Sequence, residues 1–262
     1  KVEALTKRYP NIFFTLGTTT AFAGSVAEVL GKMKAAGTIG NRVAMVNVAD
    51  AFGIELANAA RPIFKKAGFQ IVYDKSYPLG SPDLSPVIRG AKAAKPDAFV
   101  AWSYPPDTFG LTAQAKVQGL NVKAYYTAVA TAFPVFAGKF GKSADGIMGA
   151  GGINPDTTAM KNYRATHKKI TGKTADYWAS GMVYASFQIL HQAIEAVGTK
   201  DRKAVTDHIK KNTFNTVMGP ISFKNQNNEV FWTVGQWQNG KFYGVNSTGH
   251  PGEKSIKAKS NW

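Results

Sequence analysis

The sequence predicts an α/β protein whose parallel sheet is covered by helices on both faces. Apolar runs of strand length, such as Arg42–Val48 and Ala98–Trp102, are almost continuous, which is typical of strands buried on both sides. Segments with apolar residues at helical spacing lie between these runs, and Gly37 and Gly68 follow two of them. This regular alternation favours a doubly wound sheet with right-handed crossovers.

The predicted elements follow one another with short connections. Strands are expected at residues 11–16, 42–48, 70–73, 98–102 and 124–127, and helices at residues 21–36, 54–67, 85–94, 108–118, 158–171, 178–197 and 202–212. Ser85 should cap the third helix, with Pro86 in its first turn. The segments 217–222, 230–236 and 241–245 alternate between Asn/Gly turns, which predicts a small antiparallel meander. The glycines at 149, 151 and 152 predict a hinge, because no helix begins directly after them as a phosphate-binding loop requires.

Composition excludes several classes of protein. The 262 residues, 44% hydrophobic and 18% charged, suit one large domain or two lobes and argue against disorder. No run approaches the ~20 apolar residues of a membrane span. The absence of cysteine excludes a disulfide framework, a cysteine-based metal site and thiol catalysis. The basic residues behind the net charge of +16 are mostly lysines spread along the chain. Pairs such as Lys65-Lys66, Lys168-Lys169 and Lys210-Lys211 lie on predicted helices, which favours a solvated surface over a nucleic-acid interface.

Motifs for catalysis are missing from the sequence. There is no G-x-G-x-x-G after a strand, no G-x-x-x-x-G-K-[ST] and no G-x-S-x-G. Asp50 and Asp107 follow strand ends, but each lacks an adjacent base, so solute binding or helix capping is favoured over acid–base chemistry. We therefore expect that the protein is not an enzyme and that it has neither a cofactor nor a metal site.

Aromatic residues cluster where the predicted strands end. In open α/β sheets, ligands bind beyond the carboxyl ends of the strands. Phe52 and Tyr104 lie there, close to the starts of helices, and we expect both rings to face a crevice. The alternative is that they pack between lobes.

Short stretches along the whole chain carry a family resemblance. They are Asp50-Ala51-Phe52-Gly53, Tyr77-Pro78 with Asp83-Leu84-Ser85-Pro86, Lys95-Pro96-Asp97-Ala98-Phe99-Val100, Tyr104 with Pro106-Asp107, Gln114-Ala115 with Gly119-Leu120, Tyr184-Ala185, and Asn215-Thr216-Val217-Met218-Gly219-Pro220. In this order, the chain resembles the periplasmic solute-binding proteins of ABC importers, of the branched-chain amino acid (Leu/Ile/Val) type and its aromatic-acid-binding subgroup.

The resemblance implies a type I periplasmic-binding-protein fold, with two Rossmann-like lobes joined by three hinge crossings. The crossings would fall near residues 18–20, 150–153 and 232–234. Residues 1–18 would then be the last strand of lobe 1 before the first crossing, 19–150 the complete lobe 2, 151–232 the remainder of lobe 1, and 233–262 the third crossing with the C-terminal strands and tail. The resemblance also implies that lobe 1 lacks its N-terminal β–α units in this chain and that a signal peptide has been removed.

The resemblance also suggests which residues bind ligand. Phe52 and Tyr104 match pocket aromatics, and Ala128 stands where amino acid binders carry an acidic residue for the ligand's ammonium. Trp102, Ser103, Thr127 and Trp178 complete the expected set. Because a buried ammonium without a carboxylate partner is costly, Ala128 favours an aromatic carboxylate over an amino acid.

The expected function is therefore that of an extracytoplasmic, periplasmic solute-binding component of an ABC importer. It would bind a small organic carboxylate, an aromatic acid by preference, through hinge closure and without catalysis. The expected partner is a membrane permease; no nucleic acid is expected, and the chain should be a monomer. Binding of a branched-chain or other hydrophobic amino acid remains an alternative, as does a ligand-sensing receptor domain of the same fold.

Overall fold

A sheet of seven strands forms the centre of the computed structural model, which describes residues 2–152, 154–228, 233–247 and 252–262. The strands of this sheet are β1 (Arg42–Val48), β2 (Gln70–Tyr77), β3 (Ala98–Trp102), β4 (Ala124–Thr127), β5 (Ile147–Ala150), β8 (Val234–Gln238) and β9 (Lys241–Val245). Two further strands, β6 (Phe214–Thr216) and β7 (Gly219–Ile221), lie outside it. The helices are α1 (Val2–Arg8), α2 (Thr19–Ala35), α3 (Ala51–Lys66), α4 (Ser85–Ala93), α5 (Pro105–Gln118), α6 (Pro134–Phe140), α7 (Thr158–Thr171), α8 (Ala179–Val197) and α9 (Arg202–Lys211).

The main sheet has the strand order β2-β1-β3-β4-β5-β8-β9. Its first five strands pair in parallel, and β8 and β9 extend it as antiparallel neighbours. Every residue of β3 and all of β1 except Arg42 are buried, as expected for strands with helices on both faces. The predicted α/β fold with a mostly parallel sheet is confirmed.

The starts of α2 and α4 differ from the prediction. Thr18 caps α2 by accepting a hydrogen bond from the backbone N–H of Ala21 (3.2 Å), so α2 begins two residues early. The cap of α4 is Leu84, and the prediction that Ser85 has this role was wrong. Ser85 is the first helical residue, and it donates its backbone N–H to Asp83 (2.8 Å).

Two strand predictions were also wrong. Residues 11–16 form no strand; Phe14 alone makes an isolated parallel bridge, to Asn227. The C-terminal strands do not form a separate meander, because β8 pairs with β5 and joins the main sheet, with β9 beside it. Only β6 and β7 form a separate hairpin. Residues 230–232 of that prediction lie outside the described residues.

The glycines after β5 allow a close approach of backbones. Gly151 and Gly152 have φ of +111° and +96°, in the region that favours glycine. A Cβ atom on Gly152 would lie 2.6 Å from the Cα of Gly235 and 2.7 Å from that of Gly244. Gly152 therefore allows close packing against β8 and β9, and the hinge remains a prediction. Ile153, at the expected crossing, lies outside the described residues.

Two regions can be distinguished by their elements. The sheet region comprises α2–α6, β1–β5, β8, β9 and residues 252–262, and the helical region comprises α7–α9 with the β6–β7 hairpin. Tyr177 connects them: its backbone N–H donates to the carbonyl of Ala132 (3.2 Å), and its ring lies edge-on to Trp237 with centroids 5.6 Å apart. No helix within the described ranges is long and apolar enough to cross a bilayer.

Residues 252–262 pack along the sheet region. The side-chain amides of Gln236 and Gln238 donate to the backbone carbonyls of residues 257 and 255, at 2.8 and 2.9 Å. The indole of Trp262 donates to the carbonyl of Leu120 (2.8 Å). Lys259 is 2% exposed, so this segment is part of the packed structure.

Candidate functional site

The candidate site is built on the short segments that follow β1 and β3, at one edge of the sheet. After β1, Asp50 caps α3 by accepting a hydrogen bond from the backbone N–H of Gly53 (2.9 Å). After β3, Asp107 accepts one from the backbone N–H of Tyr104 (3.4 Å) at the start of α5. Both carboxylates thus have the capping role that was one of the two predicted for them. Because β1 and β3 are parallel neighbours, the two helix starts lie side by side.

Phe52 and Tyr104 form a stacked ring pair at this edge. Their centroids are 4.8 Å apart, their planes differ by 18°, and both side chains are half-buried. Gly53 holds this part of α3 against the strand, because any Cβ at that position would collide with the backbone oxygen of Val48. The ring pair therefore has a rigid base and a partly exposed surface.

Three polar groups accompany the rings. Asp50 is half-buried, whereas Asp107 and Tyr77 are buried. Burial raises the pKa of the Asp107 carboxyl, and the nearby charge of Asp50 raises it further. Burial likewise raises the pKa of the Tyr77 hydroxyl, with the negative charge of Asp107 as the next cause. The pKa of Tyr104 is raised by burial and by Asp50. The carboxylates of Asp50 and Asp107 and the hydroxyls of Tyr77 and Tyr104 therefore lie close enough to influence one another's protonation.

The predicted hydroxyl ligands are engaged inside the protein. Ser103 shares a hydrogen bond with Thr108 (2.7 Å), and Thr108 donates to the carbonyl of Val129 (2.7 Å). Thr127 shares one with Thr131 (2.6 Å). Ser103 and Thr127 have no exposed surface, so in this structure they stabilise the loop after β4 and do not line a crevice.

Trp102, Ala128 and Trp178 are also buried. Trp102 has no exposed surface, and its ring lies edge-on to those of Phe22 and Tyr126, with centroids 5.6 and 5.9 Å away. The side chain of Trp102 thus lies in the core beside the sheet, and its role in ligand binding stays a prediction. Ala128 is fully buried, and its backbone N–H donates to the carbonyl of Ala101 (3.0 Å). Trp178, at the start of α8, is 8% exposed and packs at Gly151.

The structure therefore brings together two of the seven predicted site residues, Phe52 and Tyr104, with exposed ring surface. It adds Asp50, Asp107 and Tyr77, of which only the strand-end positions of the two aspartates gave a signal in the sequence. The sequence-based case for an aromatic carboxylate rested on the missing acidic side chain at Ala128, but Asp50 supplies a carboxylate beside Tyr104.

Two concave surfaces formed by described residues involve the helical region. One, of about 430 Å³, lies between α8, α9 and residues 11–15. Another, of about 540 Å³, lies between α7, α8 and β6. Within the described ranges, no group of three or more histidine or acidic side chains could hold a metal ion.

Parallel strands whose carboxyl ends carry a partly exposed ring pair are typical of α/β proteins that bind small molecules. A model of the family described as "Periplasmic binding protein" matches residues 3–241. The chain therefore belongs to the periplasmic binding protein family, and its fold is the type I fold of that family.

Individual relatives agree with this assignment. The chain is 26% identical over 243 residues to Leu/Ile/Val-binding protein homolog 7 of Brucella abortus (strain 2308), covering 86% of this chain and 60% of the relative. The chain thus spans about 60% of that relative's length.

Solved structures show the same fold. The leucine-, isoleucine-, valine-, threonine- and alanine-binding protein of Brucella ovis, in its closed conformation, superposes with a TM-score of 0.74 at 20% identity, covering 94% of this chain and 66% of that one. A leucine-binding protein of Thermotoga maritima gives a TM-score of 0.69 at 20% identity, covering 87% of this chain and 65% of that one.

Proposed function

We propose that this chain is the solute-binding component of an ABC importer and that it binds a small hydrophobic solute against Phe52 and Tyr104. The observation that carries the proposal is the stacked, half-buried ring pair at the carboxyl ends of adjacent parallel strands. Rings in such a position offer a large apolar surface, and aromatic contacts add about 0.5–1.5 kcal/mol beyond the burial of area.

The proposed solute is a hydrophobic amino acid of the leucine, isoleucine or valine kind. The names of the relatives support this choice. Asp50 supports this choice too, because it places an acidic side chain beside the rings that could receive the ammonium of an amino acid. The sequence-based case for an aromatic carboxylate considered only the missing acidic side chain at Ala128. An aromatic acid is the second candidate, favoured only by the presence of two stacking rings.

The proposed mechanism needs no chemistry on the solute. The solute would bind between lobe 2 and lobe 1. Bending at the crossings near residues 18–20, 150–153 and 232–234 would close the two lobes on it. Residues 19–150 would be lobe 2, and residues 1–18 and 151–232 would belong to lobe 1. A membrane permease would recognise the closed form of a monomeric, extracytoplasmic protein.

Removal of one ring tests the proposal. Phe52→Ala should weaken binding of the preferred solute at least tenfold in isothermal titration calorimetry, because it deletes half of the ring pair. The titrations would use leucine, isoleucine, valine, benzoate and phenylacetate.

Phe187→Ala is the matched control, since Phe187 is an exposed ring on α8, in the helical region. The control should bind as the unmodified protein does. Equal affinity of Phe52→Ala and the control for the preferred solute would contradict the proposed site, and failure of all five compounds to bind would contradict the proposed function.

A further inference from the structure

Two carboxylates at the strand ends lack a basic partner, although basic residues outnumber acidic ones by 32 to 16. Asp50 and Asp107 take part in none of the ion pairs formed by the described residues. Other aspartates do form ion pairs: Asp74 pairs with Arg61, and Asp156 pairs with Lys241. Among the described residues, no cation therefore pairs with the negative charge beside the ring pair.

A buried hydroxyl also faces this pair of carboxylates. Tyr77 ends β2, and it is 3% exposed. Its hydroxyl lies near enough to Asp107 and Asp50 for both charges to raise its pKa. The hydroxyl is directed at the carboxylate of Asp107, and this contact contributes to the raised pKa of Tyr77, although its geometry falls outside the range of a normal hydrogen bond. Tyr77 and Asp107 therefore form a buried polar pair next to Asp50.

Of the two carboxylates, Asp50 is the one that a solute can reach. Its side chain is half-buried, whereas that of Asp107 is 3% exposed. Asp50 directly precedes α3 and lies beside the hydroxyl of Tyr104. One of its oxygens accepts the capping hydrogen bond from Gly53, and a carboxylate has further acceptor positions beyond that one. A cation placed against the exposed side of Asp50 would also lie in the field of Asp107.

We propose that Asp50 is the specificity-determining residue that receives the positively charged amine of the solute. This inference rests on the proposed function and sharpens it: the site selects compounds with a primary ammonium group over the matching carboxylic acids without one. Asp50 thereby supplies the negative charge that Ala128 lacks, from the segment after β1 instead of the segment after β4. A charge-assisted hydrogen bond in a partly desolvated site accounts for the selection.

Matched pairs of solutes test the proposal by calorimetry on the whole protein. Leucine would be compared with 4-methylpentanoate, and phenylalanine with 3-phenylpropanoate, since each pair differs only by the amine. The unmodified protein should bind the amino acid of at least one pair tenfold or more tighter than its partner acid. Asp50→Asn should reduce that preference to less than threefold.

Asparagine is a suitable replacement because it caps helices about as well as aspartate, so α3 should be retained. Asp201→Asn is the matched control: Asp201 caps α9 in the same way, accepting from the backbone N–H of Ala204 at 2.8 Å. The control should keep the full preference for the amine. Circular dichroism melting would confirm that both variants fold.

Each outcome bears on a different claim. If the acids without an amine bind as tightly as the amino acids, or if Asp50→Asn keeps the preference, the role of Asp50 is overturned while solute binding at the rings stands. If no amino acid, matching acid, benzoate or phenylacetate binds at all, the proposed function itself fails.

Discussion

The sheet region and the helical region differ in how completely they bury their aromatic rings. In the sheet region, large side chains such as Phe99, Trp102 and Phe136 have no exposed surface. In the helical region, α8 buries one face but leaves Val183 and Phe187 59% and 65% exposed. Strands with helices on both faces enclose a core of their own. In the helical region, α7, α9 and the β6–β7 hairpin cover only one side of α8. The difference teaches that a ring in this molecule contributes to stability according to its region.

Truncating a ring in the core of the sheet region should have the largest effect. Phe99 lies in β3 and stacks on Tyr125, with centroids 5.0 Å apart. Phe99→Ala should lower the free energy of unfolding by about 3–5 kcal/mol, because it removes buried area and leaves a cavity. Phe187→Ala in the helical region should change it by no more than about 0.5 kcal/mol. Urea denaturation measures both, and similar losses would contradict the contrast between the regions.

A smaller effect is expected where the chain leaves the sheet region. Gly152→Ala should cost about 1–3 kcal/mol, since a side chain would combine an unfavourable φ with a collision against two backbones. Gly172→Ala, after α7, is the control: its φ is +72°, but nothing lies within 4 Å of the added Cβ. Thermal melting should show the larger loss for Gly152→Ala. An equal loss would mean that the close approach contributes nothing.

The smallest effect concerns Lys259, in the segment packed on the sheet region. Burial, together with a smaller contribution from repulsion by Lys123, lowers its pKa to about 8. Because the pKa is lower in the folded than in the unfolded chain, folding favours the neutral amine. Stability should therefore increase as the pH rises from about 8 towards the ordinary lysine value of 10.5.

Lys259→Met should remove this rise, because methionine has nothing to titrate. The difference in melting temperature between the variant and the unmodified protein should shrink by a few degrees between pH 7 and pH 10.5. Other groups that titrate in this range affect both proteins alike. A constant difference would show that the amine is equally charged in both states.

Much of the sheet region could be predicted from the sequence. The strands β1, β3 and β4 have the predicted bounds, because continuous apolar runs of strand length leave few alternatives in a covered sheet. The placement of β8 and β9 could not be predicted. It depends on pairing with β5, more than 80 residues away, and apolar alternation does not specify a partner.

The candidate site was predicted only in part, for a similar reason. Phe52 and Tyr104 were found because the ends of parallel strands meet at one edge. Tyr77 was missed because its ring reaches Asp107 across β1, which requires the strand order β2-β1-β3. Trp102 lies at a strand end as well, but position alone does not say whether a side chain points into the core.

Under the proposed function, the stacking of Phe52 on Tyr104 has a consequence for the kinetics of solute binding. Each ring already restricts the rotamers of the other, so a solute that settles on them has little side-chain freedom left to remove. Ordering a mobile side chain on binding costs about 0.5–1.5 kcal/mol, and a preorganised pair avoids most of that cost. In the proposed mechanism, the slow step of solute binding should then be the movement of whole lobes. The ring pair of Phe52 and Tyr104 should need no rearrangement before a solute binds.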